Sequence, residues 1–170
     1  MRRRDRAWWW CDEAVQAFIA SCREATGADM IGHRNAAMSV IRALHKKGIV
    51  AFLVDHNTSS SEAEFLPFLN ETAAVNMGPA LLAVRAKALV WPVVLVREKD
   101  HYVFHLKEPL DTATLEGSRD EQVKAAALFY TQAIESFIRE RPEQWFWMHD
   151  RWKTKEKTSA ASHDSASGQA

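Results

Sequence analysis

The sequence predicts an α/β fold with a mixed, mainly parallel sheet flanked by helices, and three observations predict it. Amphipathic segments with helical spacing alternate along the chain with extended apolar runs, the pattern of a layered α/β domain. The run Ile49-Val50-Ala51-Phe52-Leu53-Val54 is apolar without interruption and stops at Asp55, as expected of a strand covered on both faces in a parallel sheet. Later, His101-Tyr102-Val103-Phe104-His105-Leu106 alternates instead, as expected of a half-exposed antiparallel strand.

The elements follow in order. Residues 12–25 carry Val15, Phe18, Ile19 and Cys22 at helical spacing, with Asp12 placed to cap the start and Gly27 to end it. A second helix over residues 35–46 has Met38, Ile41 and Leu44 as its stripe, and Gly48 as its stop. The expected buried strand over 49–54 gives way to a polar loop, and residues 65–68 re-enter the core. Gly78 opens a helix through Lys87, and residues 90–96 form a second buried run in which Pro92 marks an edge or a bulge. Glu98-Lys99-Asp100 turns into the alternating strand. The longest helix runs from about Asp120 to Arg139, with Val123, Ala127, Tyr130, Ile134 and Phe137 inward, and Pro142 ends it. Residues 1–11 stay unassigned, residues 12–153 form one domain, and residues 154–170 read as a disordered tail by composition.

Composition bounds the function. A chain of 170 residues, 47% hydrophobic, can bury one core. Its 22 basic and 22 acidic residues cancel, so no global field favours nucleic acid, and any anion must be met locally. Cys11 and Cys22 lie too far apart along one predicted helix to bridge, which suits a reducing, cytosol-facing setting. The start of the chain has no secretory pattern, and the longest uncharged apolar stretch, residues 88–96, is about half of a membrane span.

Few residues stand out as chemical candidates. His101 and His105 share a strand face, yet four residues of strand separate them by roughly 13 Å, too far for one metal ion. Asp55 and His56 are neighbours whose side chains would point to opposite faces of a strand, a poor start for a base and its orienter. No nucleophile elbow, phosphate loop or dinucleotide fingerprint occurs, and no cofactor is implied. Arg34, just before a helix N-terminus, is placed to meet a phosphate; a solvated arginine is the plainer reading.

The most informative block is Pro142-Glu143-Gln144-Trp145-Phe146-Trp147-Met148-His149-Asp150-Arg151-Trp152-Lys153. It resembles the C-terminal block of the bacterial lipid A lauroyl/myristoyl acyltransferases. Ile31-Gly32-His33-Arg34, Ala43-Leu44 with Lys46-Lys47-Gly48, Phe52-Leu53-Val54-Asp55, Phe65-Leu66-Pro67-Phe68, Gly78-Pro79-Ala80 and Trp91-Pro92-Val93 follow in the order of that family. Each motif is short, and their order is what makes the resemblance specific, over roughly residues 12–153. Asn70 stands where the family has Gly, Val75 where Thr is frequent, and Asp150 where an Arg is usual.

The resemblance implies an enzyme that moves a fatty acyl chain from acyl carrier protein to a glycolipid lipid A precursor, peripherally at the cytosolic face of the inner membrane. Arg34 would hold an acceptor phosphate and Asp55 would organise the site. The family's base is a His followed five positions later by Asp or Glu, and no His here has that partner. Accordingly the sheet is expected to be incomplete on its N-terminal side, and this chain alone, a truncated form, to be inactive. The alternative is a non-catalytic lipid-binding or membrane-docking module. Trp145 and Trp147, with Arg151 and Lys153, suit a membrane–water interface; core packing of the same indoles is the competing reading.

Overall fold

The structure, a computed structural model, describes residues 13–31, 36–59 and 63–156. Helix α1 spans Glu13–Glu24 and stops before Gly27, whose φ of 82° only glycine adopts freely. Helix α2, Ala36–His45, buries Val40 and Ile41 and leaves Met38 largely exposed. Two strands, β1 (Ala63–Phe68) and β2 (Glu71–Asn76), form an antiparallel hairpin. Its two-residue turn, Leu69-Asn70, has positive φ at both positions, the geometry that matches strand twist. Asn is the non-glycine residue best suited to that region, which suits Asn70 to this turn.

Helix α3, Gly78–Ala86, starts with Pro79 in its first turn and ends on a left-handed Lys87. Leu89–Val90 (β3) pairs with Leu110–Asp111 (β6), and Val93–Glu98 (β4) pairs with His101–Leu106 (β5). The run over residues 90–96 is therefore not one buried strand. Trp91-Pro92 breaks it because proline offers no N–H to a ladder, and Val93 and Leu95 face solvent. Helix α4, Arg119–Glu140, begins one residue before expectation, since Ser118 and Glu121 close a capping box.

Small residues decide the packing. Ala73, Ala74, Ala126 and Ala127 are fully buried, so α4 packs closely on the β1–β2 hairpin. The main core joins Leu66, Val75, Ala80, Val84, Val123 and Tyr130. Tyr130 donates its hydroxyl to the Asn76 carbonyl at 2.6 Å, and burial pushes its pKa up. A second cluster gathers Phe68, Ala73 and Ile138 with Trp145 and Trp152.

The α/β content stands, but the expected parallel sheet does not. The described strands form three two-stranded antiparallel sheets. Residues 49–54 are extended without pairing, and Ile49 and Leu53 are 99% and 75% exposed. An apolar run predicts that a strand would be buried, yet a ladder needs a neighbour, and none of the described residues supplies one.

Candidate functional site

The tryptophan-rich block is neither a helix nor a tail: it is a clasp that ties four parts of the fold together. Pro142–Gln144 form a 3-10 turn directly after α4. From there the Gln144 amide oxygen accepts the Arg97 N–H at 2.8 Å, and its NH2 donates to the Arg97 carbonyl at 3.0 Å. The side chain thus takes the place of a neighbouring strand at the outer edge of β4. Trp145 packs edge-on against Phe68, Trp147 and Trp152. Further along, the Asn57 N–H donates to His149 Nε2 at 2.9 Å, so that nitrogen carries no proton in this arrangement. Thr154, assigned by composition to the tail, donates its N–H to Asn57 and its hydroxyl to the Thr58 carbonyl, and accepts from the Asn57 amide.

Arg151 is the centre of the clasp. It is 1% exposed, donates from Nη1 to the Ala74 carbonyl at 2.7 Å, and lies 5.1 Å from the Phe68 ring centroid. Burial lowers its pKa, and the Asp55 carboxylate opposes that shift. Its Nε and the neighbouring Trp152 Nε1 are buried donors without a hydrogen-bond partner among the described residues.

Above the clasp lies a cavity of about 260 Å³. Its apolar wall comes from Phe52, Leu53 and Val54, from residues 93–96 of β4, and from Ile134, Phe137 and Ile138 of α4. Asp55, His105, Glu140, Arg141, Gln144 and Trp145 complete the lining. Around this polar part His105 Nε2 lies 3.0 Å from Glu98 Oε1, which also receives Arg141 Nη2 at 3.4 Å. Lys107 donates to Glu140 at 2.8 Å, and that bond, with one from Ser136, holds the Glu140 carboxyl below its ordinary range. The arrangement suits an amphiphile, with a tail against the apolar wall and a polar group beside Asp55.

The residues singled out from sequence fare differently. Asp55 lies at the cavity, exposed, and close enough to Arg151 to act on its charge. Trp145 is half-buried in the second core, whereas Trp147 is 53% exposed with its Nε1 donating to the Pro142 carbonyl at 2.6 Å. Lys153 is exposed. Arg151, expected at a membrane–water interface, is instead buried beneath Phe68, because the chain doubles back at residues 147–152. Arg34 and the basic and tryptophan-rich stretch over residues 2–10 lie outside the described residues. Asp55 and His56 are adjacent, but His56 stacks on His149, with 6.4 Å between ring centroids.

Sequence reasoning weighs His105 only as a metal ligand beside His101, takes Gln144 only as part of the tryptophan-rich block, and does not single out Arg141. The available signal was weak: His105 and Glu98 flank a short turn and fall on one hairpin face, while Gln144 reads as a generic polar residue. Met148 has no role in that reading, yet it and Phe146 are 88% and 68% exposed at the clasp tip. Among the described residues no helix is long and apolar enough to cross a membrane, and no cluster of side chains could hold a metal ion.

Comparison with known proteins adds the chemical context. Residues 12–154 match the family described as bacterial lipid A biosynthesis acyltransferase. The lipid A biosynthesis palmitoleoyltransferase of Escherichia coli (strain K12) is 32% identical over 127 residues, covering 74% of this chain and 40% of that protein. A lipid A biosynthesis acyltransferase of Shigella flexneri shows the same identity and coverage. The lipid A biosynthesis lauroyltransferase of E. coli is 29% identical over 130 residues, covering 72% of this chain and 39% of its own length. The chain spans about two fifths of the length of the curated relatives it matches.

Proposed function

Because this chain belongs to the bacterial lipid A biosynthesis acyltransferase family, we propose that its cavity receives the acyl chain in fatty-acyl transfer to a glycolipid acceptor of the lipid A type. The donor in this reading is acyl carrier protein. One observation carries it: Asp55, with His105, Glu140, Arg141 and Gln144, lines a cavity whose apolar wall includes Phe52, Leu53, Val94, Val96, Ile134 and Phe137. Each methylene moved from water onto such a wall contributes ~0.8 kcal/mol, enough for an open cavity of this kind to select a fatty chain. Asp55 and Arg141, which both line the cavity, then orient the polar end, and Arg34 is the candidate for an acceptor phosphate.

The transfer itself needs a base to take the proton of the acceptor hydroxyl as its oxygen attacks the acyl carbonyl. No His of this chain is followed five positions later by Asp or Glu. Losing a positioned base typically costs on the order of a hundredfold to ten-thousandfold in rate. The chain therefore supplies binding and orientation, and we expect no transfer from it alone. Membrane contact fits the clasp tip, where Phe146, Trp147 and Met148 are exposed together and the indole N–H is already satisfied within the turn. In this reading the protein works peripherally at the cytosolic face of the inner membrane, where a lipid acceptor is met.

The test is binding of lauroyl and palmitoleoyl probes by the purified chain, with transfer from acyl carrier protein assayed beside it. Ile134→Trp, which fills the cavity, should abolish probe binding, and transfer should stay at background. Probe binding indifferent to Ile134→Trp removes the cavity from the reading. Robust transfer lost in His56→Ala would instead make Asp55 and His56 the working pair.

A further inference from the structure

Asp55 lines the cavity and is exposed, and among the described residues it makes no hydrogen bond. What fixes the direction of its carboxylate must therefore be its place in the chain. Val54, just before it, packs against the main core. Just after it the chain is bonded to the clasp at several points.

The Asn57 N–H donates to His149 Nε2 at 2.9 Å. The Asn57 side chain meets Thr154 twice: its amide nitrogen donates to Oγ1 at 3.0 Å, and its amide oxygen accepts the Thr154 N–H at 3.1 Å. The Thr154 hydroxyl donates in turn to the Thr58 carbonyl at 2.7 Å, and His56 stacks on His149. Asn57, His149 and Thr154 are half-buried and Thr58 is buried, where a satisfied network of this kind is rigid. From the other side, Asp55 acts on the charge of Arg151, which the same clasp fastens to the Ala74 carbonyl.

One bond of the network has a protonation requirement. His149 Nε2 accepts only while it carries no hydrogen, so the ring must be neutral with its proton on Nδ1. A proton taken up at Nε2 sets two N–H donors against each other. The other charged or titratable groups on the two packed segments are His56, stacked on the ring, Asp55 beside it in the chain, and Asp150, Arg151 and Lys153 after His149.

We propose that Asn57, His149 and Thr154 are positioning residues for Asp55, and that they hold its carboxylate at the cavity only while His149 is neutral. The consequence for a bound ligand rests on the functional reading above; the placement of Asp55 does not.

The experiment follows the Asp55 carboxyl carbon and the Asn57 amide by NMR in the full chain without ligand. Beside it, binding of N-lauroylethanolamine is measured, because its hydroxyl and amide N–H can donate to a carboxylate. His149→Ala and Thr154→Val should each shift the Asp55 signal, while His149→Gln, which keeps an uncharged acceptor oxygen, should leave it in place. Between about pH 8 and about pH 5, the span in which histidines gain their charge, protection of the Asn57 amide should fall about tenfold in the parent and hold in His149→Gln. Asp55→Asn should weaken probe binding about tenfold in the parent and less than about twofold in the His149→Ala background. An Asp55 signal indifferent to both His149→Ala and Thr154→Val overturns the proposal. So does an equal loss of Asn57 protection in His149→Gln, and so do equal costs of Asp55→Asn in the two backgrounds. Probe binding indifferent to both Asp55→Asn and Ile134→Trp counts against the cavity reading alone, and the ligand-free signals still decide the placement of Asp55.

Discussion

Arg151 donates from Nη1 to the carbonyl oxygen of Ala74 at 2.7 Å, across 77 residues of sequence, and does so fully buried. This bond fastens the end of the clasp to β2, beside the small-residue contact of the hairpin with α4. Phe68 stacks over the guanidinium and Asp55 supplies the nearby negative charge.

Removing that side chain should be costly. Arg151→Ala opens a cavity under Phe68 and strands the Ala74 carbonyl, for a loss of about 3 kcal/mol. Arg151→Met keeps the volume and relieves the desolvation of a buried charge, so it should cost less than about 1.5 kcal/mol. Urea denaturation of both variants checks this. Equal losses would show that the hydrogen bond, not the packing, dominates.

Gln144→Ala removes both bonds to the Arg97 backbone. We expect a loss of about 1–2 kcal/mol and faster exchange of the Arg97 amide. Gln144→Glu keeps the acceptor and loses the donor, so it should protect that amide and still weaken the clasp. An Arg97 amide that exchanges at the same rate in Gln144→Ala would show that the strand edge does not depend on this side chain.

Acid should loosen the end of α4. Glu135 accepts the Leu69 N–H and is paired with Arg139, and Glu140 accepts from Lys107 and Ser136; both carboxyls are held below their ordinary 4.5. A depressed folded pKa means that the unfolded chain takes up protons first as pH falls. The stabilisation is therefore complete above about 4.5 and is lost as pH drops through the lower folded values. Thermal melts should show Tm falling in that window, with a shallower fall in Glu135→Gln. An unchanged slope in that variant would exclude Glu135 as a contributor.

At a membrane surface the two indoles should separate. Trp147 and its exposed neighbours Phe146 and Met148 are free to enter an interface, while Trp145 is committed to Phe68 and Trp152. Net charge is zero, so binding to anionic vesicles should be weak and salt-sensitive. Trp147→Ala should shrink the blue shift in emission and lower Tm only slightly, through loss of its contact with Trp145 and its bond to the Pro142 carbonyl. Trp145→Ala should lower Tm more. A vesicle response unaltered by Trp147→Ala would remove the clasp tip as the contact.

Local rules in the sequence by themselves determined the four α-helices of the described residues. Gly27 and Gly48 mark two ends, Pro142 a third, and the apolar spacing of Val123, Ala127 and Tyr130 the inward face of α4, because a helix bonds only to residues four positions away. The β4–β5 hairpin was equally legible, since its turn and its alternation lie within fourteen residues. Family membership was legible too, in the order of short motifs from residue 31 to residue 153. Strand partnership was not, because a ladder is a property of two segments and an apolar run names only one of them; residues 49–54 therefore read as buried and stand exposed. The fate of the tryptophan block was also decided by tertiary structure alone. Whether Arg151 meets water or Phe68, and whether Trp145 or Trp147 faces outward, depends on how the chain folds back over residues 147–152, and contacts with Ala74, Asn57 and Arg97, 47 to 97 positions away in sequence, set that path.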